Sequence, residues 1–309
     1  MTNLFQSKAF YTFLKNSGIL EPFRYSVSRE GREVGVIQGF IQRDGGSLKR
    51  FFSRRAIVNG GPALAEDITG EELEALLNQC KDGLKHKAVY IETRNFADYS
   101  RWRPVFEQAG FLYQPHYDYQ VDLSVPDAWE ERMESSRRRF VKSSLKQGAT
   151  VVDTPTKEEV TGFYGVLKDL YANRIKKPLF PLSLFLQLQN ESFCKYLLIK
   201  YENKIIGGML CVFDEVVAFE WFVCGKDGCF PKIYPSTLAT WAAIRFAADQ
   251  GCKRFDMMGA GAPGDGGYGV REFKAKFGGE LVEYGRFVHV CNKPLYAIGK
   301  AAVSMMKKI

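Results

Sequence analysis

Residues 234 to 280 read YPSTLATWAAIRFAADQGCKRFDMMGAGAPGDGGYGVREFKAKFGGE, and this stretch decides the fold. Leu238, Trp241, Ala242, Ile244, Arg245 and Ala248 keep helical register up to a Gly251 stop. A short apolar strand from Arg254 to Met258 follows, then a glycine-rich loop, then a second short helix that ends at Phe277-Gly278-Gly279. Helix, strand, loop and basic helix in this order belong to an α/β protein, whose ligands bind beyond the carboxyl ends of the strands. The loop holds glycines at 259, 261, 264, 266, 267 and 269, so its backbone reaches angles closed to other residues and can approach a ligand closely. It is not a P-loop, since no Gly-Lys-Ser/Thr follows. GAGAPG does fit the dinucleotide pattern GxGxxG, with Glu280 or Glu283 at about the right distance. Pro263 and the later glycines, however, occupy the place where a phosphate-binding helix would have to run.

Working outward, the same order of elements occurs earlier in the chain. The turn and strand Gly31 to Gln42, the helix Thr69 to Leu84 with the strand Ala88 to Thr93, the segment Phe106 to Phe111 and the strand Tyr117 to Leu123 form one series. Glu202 to Phe213, Ser236 to Met258, Phe273 to Gly278 and Leu281 to Val290 form a second, four matches in one order. Two copies of an α/β unit are therefore expected, with the boundary near residue 150. Residues 1–150 make the first domain and 151–292 the second, with an amphipathic helix expected over 293–309. The first copy lacks the glycine loop and the Phe-Lys pair, which assigns the chemistry to the second. A length of 309 residues suits two domains of this size.

With 46% hydrophobic and 25% charged residues the composition is that of a folded protein. No signal sequence opens the chain and no segment approaches the roughly 18 apolar residues needed to span a bilayer, so a cytoplasmic protein is expected. The seven cysteines are scattered and lack a CxxC pair, which reads as free buried thiols. With three histidines, a histidine-rich metal centre is not expected. The net charge of +8 suits an acidic partner, although solubility alone explains such a total. Position decides between them. Arg132, Arg137, Arg138, Arg139, Lys142 and Lys146 lie on one expected helix, Trp129 to Gln147. A solvated linker helix is the plain reading of this run. A phosphate-binding rim formed by Arg137, Arg138, Arg139 and Lys142 is the functional one, because neutralising several phosphates takes clustered Arg and Lys.

No GxSxG motif and no cysteine–histidine pairing is visible, so a covalent enzyme intermediate is not favoured. Direct attack of an amine on an activated acyl group asks for less: positioning, charge stabilisation and a route for the proton. Two carboxylates are placed for such a role. Asp256 lies near the end of the strand in KRFDMMG and Glu220 inside the apolar run VVAFEWFV, where a carboxylate is either paired with a base or carries a raised pKa. Tyr234 and Arg271 are further candidates for holding a substrate or its phosphate.

The order Tyr-Pro-Ser and helix, Gly-Cys-Lys-Arg-Phe-Asp, glycine loop and Gly269-Val-Arg-Glu-Phe273-Lys274-Ala-Lys-Phe277-Gly278-Gly279 resembles the C-terminal half of the FemABX-type proteins. These are peptidoglycan bridge-forming aminoacyltransferases built from two GNAT folds. The resemblance is one of order and spacing over most of the chain, sharpest in the GxxxFKxxFG element. It implies two tandem GNAT-like domains with mixed sheets and a cleft between them, the closing helix 293–309 joining the first. It also implies transfer of an aminoacyl group from aminoacyl-tRNA to an amine of a nucleotide- or lipid-linked peptidoglycan precursor. Aminoacyl-tRNA is then a co-substrate rather than a bound cofactor, the protein a monomer, and the inner membrane face a peripheral contact. Lys274 matches the lysine associated in the family with the aminoacyl-tRNA end and the transferring carbonyl, and Phe273, otherwise a packing residue, becomes a substrate-binding candidate. Lys276 is equally basic but off the matched position. One departure bears on the donor. The signature Arg/Gln-x-x-Gly-x-Gly/Ala, which seats coenzyme A on a helix N-terminus, is absent from both repeats. An acyl-CoA donor with a sugar amine or envelope lipid as acceptor is the alternative. A nucleic-acid-binding protein on relic transferase folds is a further one.

Overall fold

In a computed structural model of the chain, residues 3–43, 52–125, 127–265 and 269–306 are described, with backbone alone for 302–306. Two glycines of the loop, Gly266 and Gly267, and the lysines at 307 and 308 lie outside the described residues.

The first sheet runs in the order β1 (Glu21–Arg29), β2 (Arg32–Gln42), β3 (Arg55–Gly60), β5 (Tyr90–Asn95), β14 (Arg286–Val290) and β6 (Leu112–Gln114), with the short β4 (Ala63–Leu64) on β2. Along it β1–β2 and β2–β3 are antiparallel, β3–β5 is parallel and β5–β14 antiparallel. The second sheet runs β8 (Thr150–Val152), β9 (Cys194–Tyr201), β10 (Lys204–Phe213), β11 (Val217–Gly225), β12 (Arg254–Asp256), β7 (Tyr117–Asp122) and β13 (Glu280–Glu283). Here β9–β10 and β10–β11 are antiparallel, β11–β12 parallel and β12–β7 antiparallel. The same sequence of pairings thus occurs twice, and in both units the parallel pair is joined across a helix, as a parallel connection requires.

Those crossover helices are α2 (Gly70–Leu84) and α8 (Pro235–Asp249). Thr69 caps α2 in a capping box: its hydroxyl accepts from Glu72 N and the Glu72 carboxylate accepts from Thr69 N. Leu73, Leu76, Leu77, Cys80 and Leu84 then form its buried stripe against Ile91, Ala56 and Val58 of the sheet. Helix α8 starts with Pro235 at its first turn and is buried on almost every side, Leu238, Ala239, Ala243, Ile244 and Ala247 packing with Phe255 and Phe277.

The chain divides into one unit of Met1–His116 with Glu283–Ile309 and another of Tyr117–Val282. This differs from the expected boundary near 150, and strand pairing is the reason. After β6 the chain leaves the first sheet and β7 pairs with β12 of the second; after β13 it leaves the second and β14 pairs with β5 of the first. Each copy therefore gives its last strand to the other copy's sheet, and the strand read as Leu281 to Val290 is two strands broken at Gly285, whose φ is 64°. The expected helix Trp129 to Gln147 is likewise two: α4 (Ala128–Arg132) and α5 (Ser135–Lys146), with Met133 and Glu134 extended between them. Further helices are α1 (Lys8–Ser17), α3 (Arg103–Gln108), α6 (Lys157–Leu170) and α7 (Leu182–Leu188). The GVREFKA segment is α9 (Gly269–Ala275), and α10 (Lys293–Met306) closes the chain. Among the described residues no helix is long and apolar enough to cross a membrane.

Candidate active site

The second sheet opens where its parallel strands part. Strands β11 and β12 pair at only three positions, Val217–Arg254, Ala218–Phe255 and Phe219–Asp256. Beyond them β11 stays with β10, while the chain after Asp256 stays with β7 through Met257 N to Tyr119 O (2.9 Å) and Ala260 N to Tyr117 O (2.7 Å). Glu220 is the first residue past the fork on one branch and Met257 the first on the other. A bulge re-aims the first branch: Leu210 pairs with Phe222 and Cys211 with Glu220, leaving Trp221 as the extra residue.

Lys274 closes the fork. From α9 its ammonium donates to Glu220 Oε1 at 3.0 Å on one branch and to the carbonyls of Met257 and Gly259 on the other, the latter at 3.0 Å. Lys274 and Glu220 are both buried, with side chains 6% and 4% exposed. An ammonium has three hydrogens, and here all three are used. Glu220 Oε2 is buried without a hydrogen-bond partner among the described residues. Burial raises the Glu220 carboxyl, Lys274 pulls it back, and the Asp256 charge adds to the rise.

Asp256 is fully buried at the end of β12, where its Oδ1 accepts from Met258 N and its Oδ2 from Gln120 Nε2, both at 2.9 Å. Asp118 on β7 stands beside it, accepting from Tyr119 N (2.7 Å) and Gly259 N (2.8 Å). Burial foremost, and then the Asp256 charge, push the Asp118 carboxyl well above the ordinary range. The turn these groups hold needs left-handed backbone at Met258 (φ 52°), Gly259 (φ 101°) and Gly261 (φ 83°).

Of the residues singled out in the sequence, Lys274, Glu220 and Asp256 come together in this cluster. Arg271 serves the same loop, its guanidinium donating to the carbonyls of Ala260 (2.9 Å) and Ala262 (2.6 Å) and lying over the Tyr117 ring. Arg137, Phe273 and Tyr234 meet at the start of α8. Arg137 lies 4.6 Å over the Phe273 ring and donates to Thr237 Oγ1 at 3.2 Å, and Tyr234 stacks on Phe140 of α5 at 3.9 Å. Burial lowers the Arg137 guanidinium from its ordinary value. The remaining basic residues do not join them: Arg138 donates to the carbonyls of Glu130 and Glu131, while Arg139 and Lys142 are exposed. Lys276 points away from the cluster to Glu134, 3.7 Å distant at the surface. Asp118 and Gln120 escaped the sequence reading. Their alternation in YDYQVD is the pattern of a half-solvated strand, yet both faces of β7 are buried. Among the described residues no group of three His, Cys, Asp or Glu is placed to hold a metal ion.

Two mixed α/β units with one order of pairings, a fork between the parallel strands and a charged cluster at the fork define a tandem GNAT-like fold. Residues 189–304, which include Glu220, Asp256 and Lys274, match the FemAB family, in agreement with the FemABX resemblance of the GxxxFK element. FemX is similar in structure with a TM-score of 0.71 at 16% identity, over 96% of this chain and 94% of FemX. The C-terminal domain of a putative lysylphosphatidylglycerol synthetase from Agrobacterium fabrum gives 0.64 and 14%, over 97% and 93%. A tandem GNAT protein from the clavulanic acid biosynthesis pathway gives 0.56 and 12%, over 89% and 84%. At these identities the likeness is one of fold. No curated protein sequence matches the chain.

Proposed function

We propose that this chain is an aminoacyltransferase of cell-envelope synthesis, which passes an aminoacyl group from aminoacyl-tRNA to an amine of a nucleotide- or lipid-linked peptidoglycan precursor. The observation that carries this reading is that the FemAB match includes Glu220, Asp256 and Lys274 of the forked-strand cluster. In this mechanism a C–N bond forms and the ester C–O bond to the tRNA ribose breaks. The attacking amine must lose a proton, and Glu220 Oε2, buried and without a partner, is the acceptor. The proton then returns to the departing ribose hydroxyl. The Lys274 charge, fixed by Glu220 and two carbonyls, stabilises the negative charge that develops on the carbonyl oxygen. Asp256 orders the loop, and Arg271 supports it from its other end. Arg137, Tyr234 and Phe273 hold the donor end, and Arg139 and Lys142 meet its phosphates. The missing coenzyme A signature favours a donor of this kind.

The test is an assay of the purified protein with a pool of aminoacyl-tRNAs and a nucleotide-linked wall precursor, read by mass spectrometry. A gain of one amino-acid residue is the expected product and names donor and acceptor together. Transfer from acyl-CoA instead would establish the coenzyme A alternative. Tight tRNA binding without transfer from either donor would favour the nucleic-acid-binding reading.

A further inference from the structure

Asp118 and Asp256 are both buried, and both bond to the turn that seats Lys274. Asp118 accepts from Gly259 N and Asp256 from Met258 N, while Lys274 donates to the carbonyls of Met257 and Gly259 of the same turn. The charged groups around the pair are Glu220 from β11 and Lys274 from α9. Three ionised carboxylates against one ammonium would leave two uncompensated charges on buried side chains, which is costly to folding. Two buried acids tied to one turn avoid that cost with a proton on one of them.

The other copy of the repeat shows what the fold itself asks for at these two places. On β12 Asp256 follows the helix-facing Phe255 and lies opposite Gln120 of β7, and Asp118 stands two residues before Gln120. On β5 Glu92 follows the helix-facing Ile91 and lies opposite Val288 of β14, and Arg286 stands two residues before Val288. In the first unit the two places carry an ordinary ion pair, with Arg286 Nη1 2.6 Å from Glu92 Oε1. In the second they carry two acids. An acid pair is therefore no requirement of the strand exchange, and it occurs in the copy whose turn seats Lys274.

We infer that Asp118 and Asp256 share a single proton and act together as positioning residues, fixing the turn Met257–Gly259 and, through its carbonyls, Lys274. Only the activity arm of the test rests on the proposed transferase; stability and exchange are read without it.

The sign follows from the raised Asp118 carboxyl, held up first by burial and then by the Asp256 charge. The folded state keeps this proton more tightly than the unfolded chain does. The contribution to stability is complete below the ordinary carboxyl value of 3.8 and is lost as pH rises through the folded value. Asp118→Asn removes this titration while keeping an oxygen for Gly259 N and gaining an N–H for Asp256. Thermal unfolding of both proteins from acid to alkaline pH is the first measurement. The wild-type Tm should fall with pH more steeply than that of Asp118→Asn, and parallel curves would overturn the shared proton. In case the variant does not fold, carboxyl-carbon NMR of the labelled wild type gives an independent answer. One side chain of the pair should remain protonated near neutrality, and two ordinary carboxylate titrations would overturn the inference.

Positioning is read by amide hydrogen exchange and by activity. In Asp118→Ala the amides of Met258 and Gly259 should lose about tenfold or more of their protection, with smaller changes in α8, and transfer should fall with them. Asp118→Asn should keep the protection and lack the alkaline decline of the wild-type pH–rate profile. Protection unchanged in Asp118→Ala would overturn the positioning role. If no donor supports transfer by the wild type, the proposed function fails, while the Tm and exchange results still decide the pair.

Discussion

A buried ammonium with three acceptors, none of them solvent, is held as tightly as its chemistry permits, and at Lys274 this fixes what substitution must do. Removing the cation leaves Glu220 charged, buried and alone beside Asp256. Lys274→Met should therefore cost about 3–5 kcal/mol of stability, as breaking one side of a buried ion pair does. The double variant Lys274→Met/Glu220→Leu should recover most of it, since an apolar pair of similar volume is often as stable as the ion pair. Denaturant unfolding of the single and double variants checks this; a double variant no more stable than the single one refutes the picture of Glu220 as the stranded charge. Lys276→Ala, which removes only an exposed contact with Glu134, should stay within about 0.5 kcal/mol of wild type. Activity separates fold from function. The refolded double variant should nevertheless transfer more than about a hundredfold more slowly, since that is the scale of losing one preorganised electrostatic group and it lacks the proton acceptor as well.

Among the elements, α9 and the turn after it are placed by one glycine. Gly278 has φ 76°, and a Cβ there would stand 2.6 Å from the backbone of Arg132. Gly278→Ala should cost more than about 2 kcal/mol, strain and overlap adding, and should lower the apparent unfolding midpoint of the unit that contains α9. Gly264→Ala, in open space at ordinary φ, is the comparison. The difference marks where sequence reading succeeds and where it stops. The closing glycines after Phe277, the helix-strand pair around Gly251 and the helix that starts at Thr69 rest on local backbone chemistry, so they were legible. Strand exchange was not, because β7 and β14 satisfy the same period-2 pattern whichever sheet receives them, and a partner more than a hundred residues away leaves no local trace. The break at Met133 and Glu134 was hidden for a related reason. The charges on either side keep helical spacing, and the turn is set by contacts such as Glu134 N with Lys276 O at 3.0 Å. Of the cluster, Lys274 was legible through its motif, Glu220 and Asp256 as carboxylates in apolar strands. Asp118 became meaningful only through its neighbours.

Across the whole molecule the two copies answer pH in opposite directions. Glu92 is pushed up by burial but held down to about 2 by Arg94 and Arg286, so its support is present at neutral pH and lost as pH falls through that value. Asp118 acts with the opposite sign. The net charge of +8 is likewise not spread evenly in function. On α5 the four basic residues of the expected phosphate rim divide by what they touch: Arg137 is half-buried over Phe273, Arg138 is spent on the carbonyls of Glu130 and Glu131, and Arg139 and Lys142 stand exposed. If the acidic partner is a tRNA, only the exposed pair is free to displace counterions from its phosphates. Arg139→Glu/Lys142→Glu should weaken tRNA binding and flatten the dependence of log Kd on log salt by roughly one unit per lost phosphate contact. Arg138→Glu should instead lower stability through the two carbonyls it leaves, with the salt slope unchanged. Titrations at several salt concentrations, with unfolding curves for each variant, separate the two effects. An unchanged slope in the double charge reversal would return α5 to the role of a solvated connecting helix and move the search for the donor's phosphates to the half-buried Arg137 at the start of α8.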